Sequence, residues 1–318
     1  MAKLENIWSG VYYVSLSTLL TVVNKSLFAQ YDFPNPTLLF YLQSITTLII
    51  ALCLYLSKVW NGLEEYDLDK AAFIKYIVPL NGAFLMMVWP GLASMQFTSL
   101  IMFNTLRKTS VVIVLILEWI VLKRKAPPGI IFSVGLLVFG VIIAATGDLA
   151  FDMKGYFLVA LTNIGTSSYL ILIKRTKEYS DITSFTLLII NTMITTPVVM
   201  LFVLFNNQFS VLNEWLKSAS LNAVLVLSCS CILAVGINHA IYVNTSKNSP
   251  LTQAVCAQLK DVFLLVASYF VFDQKHITVK STIGVFTSLT GSAMYAVIKL
   301  RTTSSKVAPS QPAKIHNP

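Results

Sequence analysis

Residues 103–125 read FNTLRKTSVVIVLILEWIVLKRK, and the fold class turns on how that stretch is read. From Val111 to Leu117 every residue is aliphatic. Glu118 interrupts the run, Trp119–Leu122 resume it, and Lys123, Arg124 and Lys125 stop it. A soluble core helix shows a polar face every three to four residues. This one shows none, and roughly 20 mostly apolar residues are what a helix needs to cross a bilayer. The same reading extends outward along the chain of 318 residues, which is 56% hydrophobic and only 12% charged, with a mean hydropathy of +0.72. Ordinary soluble domains carry about twice that charged share. Strict apolar/polar alternation, the mark of a membrane β-barrel, is missing. The fold class is therefore an all-α membrane protein.

Breaks at charges, prolines and glycines give ten transmembrane helices, at roughly 7–27, 37–57, 72–90, 97–122, 128–147, 155–173, 183–205, 219–242, 250–272 and 279–299. The first run follows no clear basic n-region and no small-residue cleavage site, so it reads as a retained helix. The connections are short, which predicts one transporter domain over residues 1–300. The longest, 58–71 and 206–218, are polar and expected at the surface, and residues 301–318 read as a disordered cytosolic tail. Of 23 Lys and Arg residues, fifteen lie at loops on the side of the termini, four at loops on the other side and four inside spans. That bias places both termini in the cytosol. The net charge of +9 is accordingly a topology signal and speaks for no nucleic-acid partner. The partner implied is the lipid bilayer.

Five spans precede Gly147-Asp148 and five follow. Arg107-Lys108 inside span 4 is matched by Lys260-Asp261 inside span 9, and Gly135 and Gly140 by Gly284 and Gly291. With an odd number of spans per half, the second copy is inverted. This predicts two five-helix inverted repeats, about 7–147 and 155–299, with a site between them near the midplane.

Arg107, Lys108 and Lys260 each cost roughly 2.5–3.5 kcal/mol at a helix centre, and such residues face a cavity or a partner. Neighbours on a helix point about 100° apart, so Arg107 and Lys108 do not share one target. Arginine's planar fork suits phosphate, and a cationic cavity predicts an anionic, phosphate-bearing substrate. Glu118 and Asp261 read as gating or ion-pair residues. Polar side chains at helical spacing (Asn163, Thr166 and Ser167; Asn191 and Thr195; Asn238 and Tyr242; Gln253 and Lys260) either line that cavity or bond between helices. His239 reads as a packing residue. Lys25, ending span 1, either snorkels to the interface or takes a gating or substrate role. The four cysteines lie in apolar runs without metal-ligand spacing, so no metal and no cofactor is expected. The in-span acids are single and far apart. They do not make the paired carboxylates that hold Mg²⁺ in intramembrane transferases, which argues against an enzyme.

Several motifs resemble the nucleotide-sugar transporter family, within the drug/metabolite transporter superfamily. They are Asn24-Lys25, Tyr31-Asp32-Phe33-Pro34, the stretch Phe103 to Lys108 with Glu118 beyond it, Gly147 to Asp152 with Gly155-Tyr156, and Asn248 to Thr252 leading to Lys260. The stretches DLAFD and TLRK are similar to the branch that carries UDP-glucuronate, UDP-N-acetylgalactosamine and related UDP-sugars. GDP-mannose transporters carry FYNN and GALNK. At those positions this chain has Ile189-Ile190-Asn191-Thr192 and Cys256-Ala257-Gln258-Leu259-Lys260, which retain only Asn191, Ala257 and Lys260. The resemblance implies antiport of a nucleotide sugar against a nucleoside monophosphate, in the Golgi membrane or alternatively the endoplasmic reticulum, with a homodimer left open. It further implies substrate-binding roles for Lys25, Arg107, Lys108, Asn163, Asn191 and Lys260. A GDP-sugar transporter, a sugar-phosphate exchanger of the same superfamily and a member that has lost transport stand as the alternatives.

Overall fold

The computed structural model describes residues 2–59, 73–94, 97–98, 100–123, 125–147, 151–179, 182–250, 252–254, 256–257 and 278–305. Lys260 and Asp261, with most of span 9, lie outside them, as do 306–318.

Among the described residues the structure is helical throughout. The helices are α1 (Ala2–Gln30), α2 (Pro36–Leu56), α3 (Val78–Ser94, entered through a π-turn at Phe73–Ile77), α4 (Leu100–Arg107), α5 (Ser110–Val121), α6 (Pro128–Thr146), α7 (Met153–Tyr179), α8 (Ser184–Phe205), α9 (Gln208–Ser218), α10 (Leu221–Lys247) and α11 (Val279–Ser305). Their starts carry local capping chemistry. Asn35 accepts from the amide of Thr37 with Pro36 at the first helical position, Thr183 from that of Thr186, and Ser220 from that of Ala223. Asp152 Oδ1 accepts from the amides of Lys154 and Gly155 at 2.7 and 3.1 Å. Among the described residues, six helices are long and apolar enough to cross a membrane. Phe132, Phe139, Phe205 and Ile232 point outward, while Thr162, Asn163, Asn191, Ser230 and Asn244 are buried. Apolar outside and polar inside is the arrangement a lipid solvent favours, so this is a multi-pass membrane protein.

Three expectations need correction. Span 4 is not one helix from 97 to 122: it stops at Arg107 and restarts at Ser110. The connection 206–218 is not merely a polar loop: it holds α9, whose Trp215 is buried and donates from Nε1 to the Tyr31 carbonyl at 2.8 Å. Residues 301–305, read as tail, continue α11.

Helices pack as antiparallel pairs: α6 with α11, α3 with α7, and α1 with α10. Glycine sets how close they come. A Cβ on Gly140 would lie 2.3 Å from the Ser288 amide nitrogen and 2.6 Å from the Gly284 carbonyl oxygen. Reciprocally, a Cβ on Gly284 would lie 2.3 Å from Ala144 N and 2.6 Å from Gly140 O. Gly291 meets the backbone of Leu137 in the same way, and Gly165 of α7 meets Met86 and Met87 of α3. Gly135, matched with these in the sequence, has nothing within 4 Å of a Cβ. Close approach of this kind is how apolar helices associate when lipid removes the hydrophobic drive between them. Carbonyls at the end of α6 are met across the seam, where Ser281 Oγ donates to Ala144 O at 3.0 Å and Thr278 Oγ1 to Gly147 O at 2.8 Å.

Candidate functional site: a basic cavity at a broken helix

Where α4 meets α5, the backbone leaves the α pattern. The amides of Lys108 and Thr109 bond back three residues, to Thr105 O at 3.2 Å and Leu106 O at 3.0 Å. Carbonyls released inside a membrane must find donors, because there is no water to supply them. Helix α7 supplies them. Asn163 Nδ2 donates to Leu106 O at 3.0 Å and to Thr109 Oγ1 at 2.8 Å. Ser167 Oγ shares its proton between Ser110 O at 3.0 Å and Asn163 O at 2.7 Å.

The break aims its two cations apart. Arg107 is half-buried, donates from Nη2 to Thr166 Oγ1 at 3.3 Å, and lies with its guanidinium carbon 5.6 Å from the centre of the Phe103 ring. Lys108 is buried and donates from Nζ to Ser288 Oγ on α11 at 3.0 Å. The divergence expected from helical geometry is thus present. Both border a cavity of about 160 Å³ lined by α1, α3, α4, α5, α7, α10 and the segment around Gln253, where Tyr13, Phe84, Asn104, Thr166, Tyr169 and Asn238 contribute wall.

Of the residues anticipated as substrate ligands, Arg107 and Lys108 border this cavity, and Thr166, Asn238 and Gln253 of the polar stripes border it too. Asn163 does not. Its amide is committed to the break, donating to one backbone carbonyl, of Leu106, and one side-chain hydroxyl, of Thr109. Asn191 lines a second, much smaller pocket of about 10 Å³ between α2 and α8. Phe84, Tyr169 and Asn238 form the partition shared by the two. Asn191 is buried, and its Oδ1 has no hydrogen-bond partner among the described residues. Glu118 is buried in α5, eight residues beyond Ser110 of the cavity lining. Lys25 lies in α1, its side chain outside the described set. The aromatic wall escaped sequence reasoning. Tyr13, Phe84 and Tyr169 come from three helices, and Tyr169 is braced by donating its hydroxyl proton to Tyr242 at 2.7 Å.

The sequence pattern described as the Triose-phosphate Transporter family matches residues 6–296. The chain belongs to that family. The UDP-N-acetylglucosamine transporter UGNT1 of Arabidopsis thaliana is 29% identical to this family member over 301 residues, covering 92% of this chain and 88% of the relative. The UDP-sugar transporter sqv-7 of Caenorhabditis elegans is 27% identical over 99% of this chain and 96% of its own length. A solved crystal structure superposes with a TM-score of 0.64 at 12% identity, over 94% of this chain and 98% of the other, which shows a common fold. The family and these relatives are transporters and not enzymes, and the nucleotide-sugar resemblance read from the motifs is borne out.

Proposed function

We propose that this family member is a UDP-sugar antiporter of the Golgi membrane, carrying its substrate inward against a nucleoside monophosphate. The observation that carries the reading is Arg107, a guanidinium in the wall of a buried, hydrogen-bonding cavity. A cation in such a wall favours an anionic ligand, and a diphosphate offers oxygens for the planar fork. Relatives named for UDP-linked sugars, matched along nearly their whole length, supply the nucleotide.

In this reading ten helices form two inverted five-helix halves with both termini cytosolic. Support comes from the pairings: exchanging spans 1 to 5 with 6 to 10 turns α1·α10 into α7·α3 and leaves α6·α11 and α2·α8 as they are. The reciprocal approach of Gly140 and Gly284 obeys the same exchange. Arg107 and Lys260 hold phosphate, Asn191 reads the base, Lys25 helps close the luminal side, and Glu118 and Asp261 serve as ion-pair partners. Lys108 contributes positive potential while its contact with Ser288 anchors α4 to α11. A homodimer remains compatible with this scheme.

Pockets for drug-sized ligands measure roughly 300–1,000 Å³, so a whole nucleotide sugar enters only when the helices around the cavity move apart and widen it, with the Phe84–Tyr169–Asn238 partition giving way toward Asn191. The cavity as it stands, about 160 Å³, favours a second reading: exchange of a smaller sugar phosphate. Thermal stabilisation of the purified protein by UMP, GMP, CMP, AMP and a triose phosphate separates them. A ligand at a hundred times its Kd adds about 2.7 kcal/mol. A shift with UMP alone supports the UDP-sugar reading, and a shift with the triose phosphate alone overturns it. Faster UDP-sugar uptake into UMP-loaded than into empty liposomes is the test of antiport.

A further inference from the structure

Toward the end of the bundle where α1 begins, four polar side chains from three segments close into one network. Ser9 Oγ of α1 donates to Asn244 Oδ1 of α10 at 3.0 Å. Asn248 Nδ2 donates to Ser9 Oγ at 3.0 Å and to Asn244 Oδ1 at 2.6 Å. Asn244 Nδ2 donates to Gln253 Oε1. Ser9, Asn244 and Gln253 are all buried. Lys174 of α7 fixes the same corner, donating from Nζ to the carbonyls of Ser246 at 2.5 Å and Asn248 at 3.0 Å, where α10 runs out of amides to meet its last oxygens.

Two features set this network apart from ordinary helix-to-helix bonding. Gln253 belongs to it and also lines the basic cavity, as does Tyr13, one turn beyond Ser9. The network therefore roofs the cavity. Moreover, α7, α10 and the Gln253 segment all belong to the second half of the chain, whereas Ser9 belongs to the first. Within the network, the Ser9 bonds are the ties that cross between halves. A roof of amides and a hydroxyl opens onto water that replaces each bond it loses, whereas an apolar roof does not.

We propose that Ser9, Asn244, Asn248 and Gln253 form the latch of the cavity's cytosolic entrance, and that Gln253 is the positioning residue that links the latch to cavity occupancy. With Oε1 held by Asn244, the Gln253 amide presents Nε2 as its donor toward the cavity. An anionic ligand that takes that donor turns the amide plane and pulls Oε1 from Asn244, so occupancy releases the latch and the empty carrier stays shut. Resting on the transport reading above, this explains how exchange is kept obligatory.

Cys256 is half-buried, with its Sγ 3.6 Å from where a Gly10 Cβ would sit, and serves as the reporter. The experiment uses the full chain with Cys256 as its single cysteine. It compares the parent with Ser9→Ala, Ser9→Thr and, should Ser9→Ala fail to fold, Asn248→Ser. A water-soluble maleimide applied without ligand should alkylate Cys256 at least threefold faster in Ser9→Ala than in the parent, with Ser9→Thr near the parent. In liposomes, the ratio of uptake into UMP-loaded over empty vesicles should fall at least threefold in Ser9→Ala, because an unlatched carrier returns empty. A merely structural residue lowers both uptakes and leaves their ratio alone. Unchanged alkylation overturns the latch. A parent ratio of one overturns the exchange reading instead, and the ligand-free alkylation then decides the latch by itself.

Discussion

Replacing Gly140 by alanine tests the packing account at its tightest point. The added Cβ would start 2.3 Å from the Ser288 nitrogen and 2.6 Å from the Gly284 oxygen. Comfortable non-bonded separations are about 3.5–4.0 Å, so α6 and α11 must part locally by about 1 Å. Backbone cannot swing aside as a side chain does. Overpacking of this order costs about 1–3 kcal/mol. Alanine is favoured over glycine inside a helix by about 0.5–1 kcal/mol, which offsets part of that. Gly135→Ala isolates the helix effect, because nothing lies within 4 Å of its Cβ. In thermal melts of the detergent-purified protein, each kcal/mol moves the midpoint of a chain somewhat smaller than this one by about 2–4 °C. Gly140→Ala should therefore melt several degrees below Gly135→Ala. Gly284→Ala should match Gly140→Ala, and the double variant should cost less than the two singles together, because either one already opens the shared crossing. A Gly140→Ala protein melting at or above Gly135→Ala would refute the reasoning.

Asn163→Leu removes the two hydrogen bonds that tie α7 to the break, while Leu106 O keeps the Thr109 amide and hydroxyl as donors; at about 0.5–1.5 kcal/mol for each lost bond this should destabilise by about 1–3 kcal/mol and lower transport without shifting nucleobase preference in competition uptake. Arg107→Gln should abolish stabilisation by UMP while leaving the ligand-free melt near the parent, and Arg107→Lys should restore only part of it, since an ammonium lacks the fork. Trp215→Phe keeps the ring but loses the bond to Tyr31, predicting a loss of about 0.5–1.5 kcal/mol, against about 3–5 kcal/mol for Trp215→Ala; thermal melts read both. Uptake retained with unchanged apparent affinity in Lys260→Ala would exclude that lysine from the phosphate site.

Much of the architecture was legible because it depends on one-dimensional quantities. Apolar length marks spans such as Pro36–Leu56, and Asn35-Pro36 announces a helix start by capping chemistry that acts within three residues. The break at Lys108-Thr109 was not legible. No glycine or proline marks it, and the groups that satisfy it, Asn163 and Ser167, come from more than fifty residues away. Their i, i+4 spacing did place them on one face with Thr166, but spacing does not say what a face meets. Thr166 meets the cavity, and its two companions meet stranded backbone. The helix α9 was legible and overlooked: Phe209, Leu212, Trp215 and Leu216 recur at helical intervals within a segment whose polar residues suggested a loop. The wall of Tyr13, Phe84 and Tyr169 has no local signature, since three aromatics in three apolar spans look like the lipid-facing aromatics elsewhere in the chain.

The seam between α6 and α11 has a mechanical consequence. At Gly140 and Gly284 backbone lies against backbone, so no side chain is available there to change rotamer and absorb a displacement. Sliding one helix along the other would drive Ser288 and Ala144 into the facing main chain. Tilting about the point of nearest approach is resisted too, because Gly291 meets the backbone of Leu137 on one side of it, and Ser281 and Thr278 bond to Ala144 O and Gly147 O on the other. The two helices therefore move as one rigid strut, and whatever displacement either undergoes is passed whole to the other.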